Sequence, residues 1–180
     1  MFGWLTNLLV PKGYFRLAGG GRNLPACDIR LLRDADFEVC EDIYRLNEAA
    51  HFPEGYFGRF SKWLRNRNSL ILVAEVDGAV LGLGGINFQE QAGQHFVALS
   101  FGMVHPAHQR QGLGSTLLLS RLALIDAQTG PITAMLTTVG GSEAFCGRFG
   151  FSFSRASPPR MALSRSTTSS SSGRIPSNAA

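Results

Sequence analysis

The residues of this chain best suited to chemistry lie together at Gln109-Arg110-Gln111-Gly112-Leu113-Gly114-Ser115, where two glycines and a cation stand directly before a run made mostly of leucine. Glycine weakens a helix and arginine brings charge, so the stretch is poor local design unless something approaches its backbone closely. Backbone N–H groups at a helix start point outward with partial positive charge. Without Cβ atoms at Gly112 and Gly114, a phosphate could come within hydrogen-bond distance of several of them, and Arg110 would add a full positive charge. The plainer alternative is a strand-to-helix turn in which glycine serves tight packing. Two nucleotide-binding patterns are excluded. No Gly-Lys-Ser/Thr follows, as a Walker A loop requires, and Gly82-Leu83-Gly84-Gly85-Ile86 has neither a third spaced glycine nor a following helix.

Other candidate groups are scattered. Ser100 lies on a strand predicted over 94–104, where two-residue alternation puts Ala98, Ser100 and Gly102 on one face, none of them a carboxylate. Glu90, just before that strand, and His95, at its start, could act through water or be solvated surface groups. His105 and His108 flank the glycine loop and suit contacts at the edge of a ligand, but no third metal ligand accompanies them. The three cysteines, Cys27, Cys40 and Cys146, form no CxxC pair, so no metal is expected, and their odd number suits reduced thiols in a cytoplasmic protein.

The elements that must position these groups are legible from periodicity and turn chemistry. Residues 26–32 form a strand, Asp34 can cap the helix that follows, and a second helix carries Phe57, Phe60, Trp63 and Leu64 at helical spacing. Two strands flank Asp77-Gly78, a pairing that suits a two-residue hairpin turn. The strand at 94–104 then leads into the glycine loop, a helix from Gly112 to about Gln128 ends at Gly130-Pro131, and strand, short helix (142–148) and strand complete the order. At 180 residues, 44% hydrophobic and 17% charged, the chain suits one globular domain. The expected division is an N-terminal extension over 1–26, a domain over 27–164, and a Ser/Thr-rich tail over 165–180 too poor in apolar side chains to order itself. Phe2, Trp4, Leu5, Leu8 and Leu9 could make the extension a short amphipathic segment or a loosely docked turn. No apolar run reaches the roughly 18 to 20 residues of a membrane span. A net charge of +4 would suit a polyanionic ligand, nucleic acid or an anionic surface without choosing among them.

In that order of elements, Gln109 to Gly114 resembles the Q/R-x-x-G-x-G/A signature of the GNAT acyltransferase superfamily, and Val104 and Pro106 fit its V-x-P lead-in. Downstream, Ser142 to Phe151 is similar to the family's helix ending in a Gly-Phe pair, and the Asp77-Gly78 hairpin fits its second and third strands. The likeness covers about residues 27 to 155. It implies an α/β (α+β) fold: a mixed, mostly antiparallel, twisted sheet splayed between its fourth and fifth strands, with helices on both faces. It also implies acetyl-CoA as co-substrate and no metal, with the pyrophosphate on the amides of Gln109, Arg110, Gln111, Gly112, Leu113, Gly114 and Ser115 and the pantetheine beside Met103 and Val104.

The activity so implied is transfer of an acetyl or short acyl group to a primary amine of a small molecule or peptide by direct attack on the thioester. A backbone donor near Met103 or Val104 would meet the carbonyl oxygen, and Ser100 or Glu90 would assist the amine's loss of a proton. Cys146 stands where the family has the tyrosine that protonates the leaving thiolate. A thiol could donate that proton from a shorter side chain, or serve only as a small apolar filler between Phe145 and Phe149. Phe52, Tyr56 and Phe57 belong to the segment that walls the acceptor side in this family, and could equally be helix core. Two other readings stay open: an acyl-CoA-binding sensor or interaction module with impaired chemistry, and a nucleic-acid binder suggested only by the basic run from Arg59 to Arg67. The resemblance implies neither nucleic acid nor a membrane span as a partner, and leaves a homodimer open.

Overall fold

A computed structural model of the chain describes residues 24–91, 94–126, 133–136, 142–154 and 160–164. Most of the expected N-terminal extension, the Ser/Thr-rich tail and the Gly130-Pro131 helix stop lie outside the described residues. The elements are β1 (Asp28–Leu31), a 3₁₀ turn (Asp34–Asp36), α1 (Phe37–His51), α2 (Phe57–Leu64), β2 (Leu70–Val76), β3 (Ala79–Gln91), β4 (Gln94–Val104), a 3₁₀ turn (Pro106–His108), α3 (Leu113–Asp126), β5 (Thr133–Leu136), α4 (Glu143–Gly147), β6 (Ser152–Ser154) and β7 (Arg160–Ser164). The order matches the sequence expectation through β6, and β7 is an addition. The strands form one seven-stranded sheet in the order β1-β2-β3-β4-β5-β7-β6. Its pairings are antiparallel except β4 with β5.

Asp77 and Gly78 both adopt positive φ, 51° and 81°, and Val76 pairs with Ala79 across them. Two left-handed residues make the turn whose twist matches that of the flanking strands. The entry to α1 departs from expectation. Asp34 stays exposed, with its carboxylate 3.7 Å from Arg67, and forms no cap. Asp36 takes the buried place and is used by β1: Arg30 donates Nη1 and Nη2 to its two carboxylate oxygens at 2.7 and 2.9 Å, and the Arg33 N–H donates to it at 2.7 Å. Arg30 Nε also reaches Glu75 on β2 at 2.7 Å, so one guanidinium ties two strands to the helix start. Bidentate geometry of this kind favours arginine over lysine.

The sheet separates two apolar layers. On one face α1 and α2 set Ile43, Tyr44, Phe60 and Leu64 against Ile71, Val73, Leu83 and Met103. On the other, α3 and α4 set Leu113, Leu117, Leu118 and Cys146 against Leu72, Ile86, Leu99 and Val104. Nearly every side chain of α3 from Leu113 to Ile125 is buried, which explains why the helix is apolar all round instead of striped. Each fully buried leucine contributes roughly 1.5–3 kcal/mol, so α3 is a rigid platform for whatever its N-terminus presents.

One irregularity of β4 governs the site. Gly85 pairs with Ser100 and Leu83 with Met103, so Phe101 and Gly102 together oppose Gly84 alone. This is a β-bulge, and Phe101 absorbs it at φ 46°. The bulge overturns simple alternation along β4. Ser100 and Phe101 face the α1/α2 layer, whereas a Cβ built on Gly102 would meet Arg121 of α3. Ala98, Ser100 and Gly102 therefore do not share a face. The parallel pairing with β5 ends at Leu99 opposite Leu136, and β4 runs on from Ser100 to Val104 with no described strand on that edge.

Candidate functional site

The glycine loop begins where β4 ends. His105 Nδ1 accepts from the Ala107 N–H at 3.2 Å, closing the 3₁₀ turn at Pro106–His108, and His105 and His108 meet edge to face at 5.5 Å. Gln109 then turns inward. Its side-chain amide donates to Asn47 Oδ1 at 3.0 Å and to the Val104 carbonyl at 3.2 Å, while Asn47 donates to the carbonyls of Ile43 and Val104 at 2.8 and 3.2 Å. Gln109 thus fastens the loop to α1 and to the end of β4. Arg110 is exposed and left-handed, φ 63°, which is uncommon for a residue with a Cβ.

Gly112 carries φ 97°, and a Cβ on it would stand 2.8 Å from Pro25 Cδ. Gly114 would meet Val104 and Phe145 only at ordinary contact distances, 3.8 and 3.9 Å. The glycines therefore leave room first for the protein's own backbone geometry and for Pro25. What the loop offers a ligand is its amides. Thr116 is the first residue of α3 to return a backbone hydrogen bond, to the Gly112 carbonyl at 3.0 Å, and among the described residues no acceptor is found for the N–H groups of Arg110 to Ser115. Consecutive donors at the positive end of a buried helix form an anion site.

Alongside, Met103 and Val104 are buried on opposite faces at the end of β4. Cys146, on α4, is packed with Phe149, Phe151 and the α3 leucines, and its thiol is pushed above the ordinary range by burial. Ser100 Oγ accepts from Asn87 Nδ2 at 2.9 Å, and Asn87 Oδ1 accepts from Ser69 Oγ at 2.8 Å, a short polar chain on the α1/α2 side. Glu90 pairs with His95 across the β3–β4 hairpin, and the side chains of both lie outside the described set. That hairpin end is six residues of β4 from Phe101, roughly 20 Å at strand rise. The structure thus brings Met103, Val104, Gln109 to Ser115 and Cys146 to one end of β4, keeps Ser100 beside the bulge, and holds Glu90 far along the strand. Among the described residues no cluster of histidine, cysteine and carboxylate could hold a metal.

Phe52 and Tyr56 are half-buried around Phe101, which the sequence does not mark, and Phe57, also half-buried, packs on Tyr44 at 5.7 Å. The Phe101 ring lies 6.1 Å from Phe52, 6.2 Å from Tyr56, 5.2 Å from Phe60 and 4.6 Å from Trp63. Phe60 and Tyr44 are the buried part of this group, so the aromatic segment is partly core and partly surface. Arg59 and Arg45 cap the outer rings of Tyr56 and Phe57, each at 4.7 Å. Asn47, Phe101 and Arg121 are the residues of the site that sequence reasoning missed. Only Arg121 leaves a signal, as a lone charge inside a leucine run.

A family model described as the acetyltransferase (GNAT) family matches residues 37–151. No curated protein sequence matches the chain. Solved structures share its fold. A GNAT family acetyltransferase from Brucella melitensis in complex with acetyl-CoA superposes with a TM-score of 0.61 at 24% identity, over 78% of this chain and 89% of that one. The PaiA N-acetyltransferase of Thermoplasma acidophilum in complex with coenzyme A gives 0.60 at 16% identity, over 78% and 100%. An aminoglycoside 6'-N-acetyltransferase complexed with coenzyme A gives 0.60 at 12% identity, over 76% and 96%.

Proposed function

The chain belongs to the acetyltransferase (GNAT) family, and on that premise we propose that it moves an acetyl or short acyl group from acyl-CoA to a primary amine of a small molecule or peptide. The observation that carries this reading is the row of N–H groups from Arg110 to Ser115, without acceptors among the described residues, beside the length of β4 that runs past its pairing with β5. The CoA pyrophosphate would lie on those amides with Arg110 near it, and the pantetheine would run along Met103 and Val104. The bulge takes Phe101 and Gly102 out of the ladder with β3, and no described strand pairs with β4 beyond Leu99, so the N–H groups on that open edge are suited to polarise the thioester carbonyl.

The reaction joins the amine nitrogen to the carbonyl carbon and breaks the carbon–sulfur bond, with the electron pair leaving on sulfur. The amine's surplus proton passes to water, with the Ser100 hydroxyl as a relay on the acceptor side. Phe52, Tyr56 and Phe57 would hold an acceptor with an apolar or aromatic body, or the end of a peptide. Cys146 is a poor acid for the departing sulfur: burial raises its thiol above the ordinary range, which weakens it as a proton donor.

Thiol release from acetyl-CoA against a panel of primary amines tests the reading, beside melting with and without CoA. A ligand confined to the folded state adds about 2.7 kcal/mol at a hundredfold excess over its dissociation constant. Gly112→Asp should abolish that gain by placing negative charge at the amides. Melting unchanged by CoA in the parent overturns the proposal, and binding without release on any amine replaces it with an acyl-CoA sensor.

A further inference from the structure

Arg121 is the anomaly of α3. It is 6% exposed in a helix that is otherwise apolar or hydroxylic from Leu113 to Ile125, and no carboxylate faces it among the described side chains. Its Nε donates back to the Leu117 carbonyl at 3.2 Å, which leaves Nη1 and Nη2 without an acceptor among the described residues. Both lie against the sheet where it has no side chains. A Cβ on Gly84 would stand 2.9 Å from Nη1, and one on Gly102 2.8 Å from Nη2. Two glycines on neighbouring strands thus clear a berth for the guanidinium. Gly102 belongs to the bulge, on the part of β4 past its pairing with β5, so the fork reaches from α3 toward that open edge. Cys146 is the titratable group among the described residues whose field Arg121 feels. Burial pulls Arg121 down to about 10, which still leaves it a cation at neutral pH. An unpaired buried charge is expensive, and a family member with no such need could carry leucine there.

We infer that Arg121 receives the negative charge of the departing CoA thiolate, its Nη1 and Nη2 donating to the sulfur as the carbon–sulfur bond breaks. This rests on the acyl-transfer reading and assigns the leaving-group role that Cys146 fills poorly. The nitrogen–carbon bond forms, the electron pair goes to sulfur, and the thiolate is held as an ion pair until it takes a proton from water. The amine has already given one proton to water, so the overall reaction yields amide and free thiol with none gained or lost. A cation beside the sulfur lowers the pKa of the bound thiol below the roughly 8.5 of an ordinary one.

The test compares binding of CoA and desulfo-CoA, which lacks the thiol, by calorimetry from pH 6 to 9.5. The parent should favour CoA increasingly as pH rises, by about tenfold once the bound thiol has ionised. In Arg121→Met that preference should vanish, while desulfo-CoA affinity stays within about twofold and kcat for acetyl transfer falls about a hundredfold, the scale of losing one charge-stabilising donor. Arg121→Lys should recover part of both, and Gly102→Ala, which crowds Nη2, should lower both while leaving the arginine in place. Those two variants carry the test should Arg121→Met fail to fold. A parent that binds neither ligand overturns the proposed function and this inference together. A parent that transfers acetyl, with Arg121→Met equal to it in rate and in CoA preference, overturns this inference alone.

Discussion

Gln109 and Asn47 meet side chain to side chain at 3.0 Å, and both donate to the Val104 carbonyl, so the glycine loop is held from below by a buried amide on α1. Asn47 is 2% exposed and comes from an element remote in sequence, which makes it a positioning residue for the loop and not a ligand contact. Asn47→Ala removes one of the two acceptors of the Gln109 amide and two donations from the core. It should cost about 1–3 kcal/mol in urea unfolding. CoA affinity should fall at least severalfold at a temperature where the variant is folded; equal affinity would mean that the loop holds its shape unaided.

The Arg30–Asp36–Glu75 group predicts a pH limit. The bidentate Arg30 contact, aided by the Arg33 N–H, holds the Asp36 carboxyl below the usual carboxylate range despite its burial. A group whose folded pKa is depressed contributes stability above its unfolded value, near 3.9, and loses it as pH falls through the folded one. Unfolding free energy should therefore drop between about pH 4 and the folded pKa, and Asp36→Asn should flatten that part of the curve while costing about 2 kcal/mol at pH 7, between the values for exposed and buried pairs. Denaturant titrations from pH 7 to 2.5 check both, and an unchanged slope in the variant would assign the acid limb to other carboxylates.

Much of this site can be read from local chemistry, and the remainder depends on contacts between distant residues. The Asp77-Gly78 turn, the glycine loop and the leucine helix each carry their signal within a few residues, which is why they fall where expected. The bulge does not. It requires Phe101 in the left-handed region and two residues of β4 opposite Gly84, and alternation along a single strand cannot reveal a count that belongs to a pair of strands. Asp34 reads as the cap on sequence, and the reach of Arg30 from β1, which draws Asp36 into the buried place instead, cannot be seen from the local residues. β7 is missed because Met161, Ala162 and Leu163 lack the β-branched side chains that mark a strand; its place between β5 and β6 comes from pairing alone. Arg121 reads locally as a break in an apolar run, and its meaning comes from Gly84 and Gly102 on two other elements.

Gly85 is a sensitive point for the proposed acceptor wall. A Cβ there would lie 2.2 Å from Trp63 Cζ2, and Trp63 packs at 4.6 Å on Phe101. Gly85→Ala must displace the indole, at a cost of about 1–3 kcal/mol from overpacking. The displacement passes to the Phe101 ring and the acceptor side, so KM for the amine should rise more than KM for acetyl-CoA. A rise of both in proportion would show the damage to be global.

Cys146 separates a packing role from a chemical one. The side chain is 5% exposed among Phe149, Phe151 and the leucines of α3, and burial, the largest influence on its thiol, outweighs the lowering field of Arg121. Burial raises the thiols of both Cys146 and Cys27, so exposure separates them: buried Cys146 should react slowly with alkylating reagents in the folded protein, behind the partly exposed Cys27. Cys146→Ala removes one buried sulfur and should cost about 1 kcal/mol of stability through the cavity it leaves. Turnover should stay within about twofold, because the charge on the departing sulfur would be met by Arg121 and its proton would come from water. General-acid catalysis contributes about a hundredfold or more, so the two roles are well separated in a steady-state assay. A variant that melts like the parent and binds CoA like the parent, yet turns over at less than one-tenth of its rate, would make the thiol the proton donor and leave Arg121 to stabilise the carbonyl oxygen or the fold.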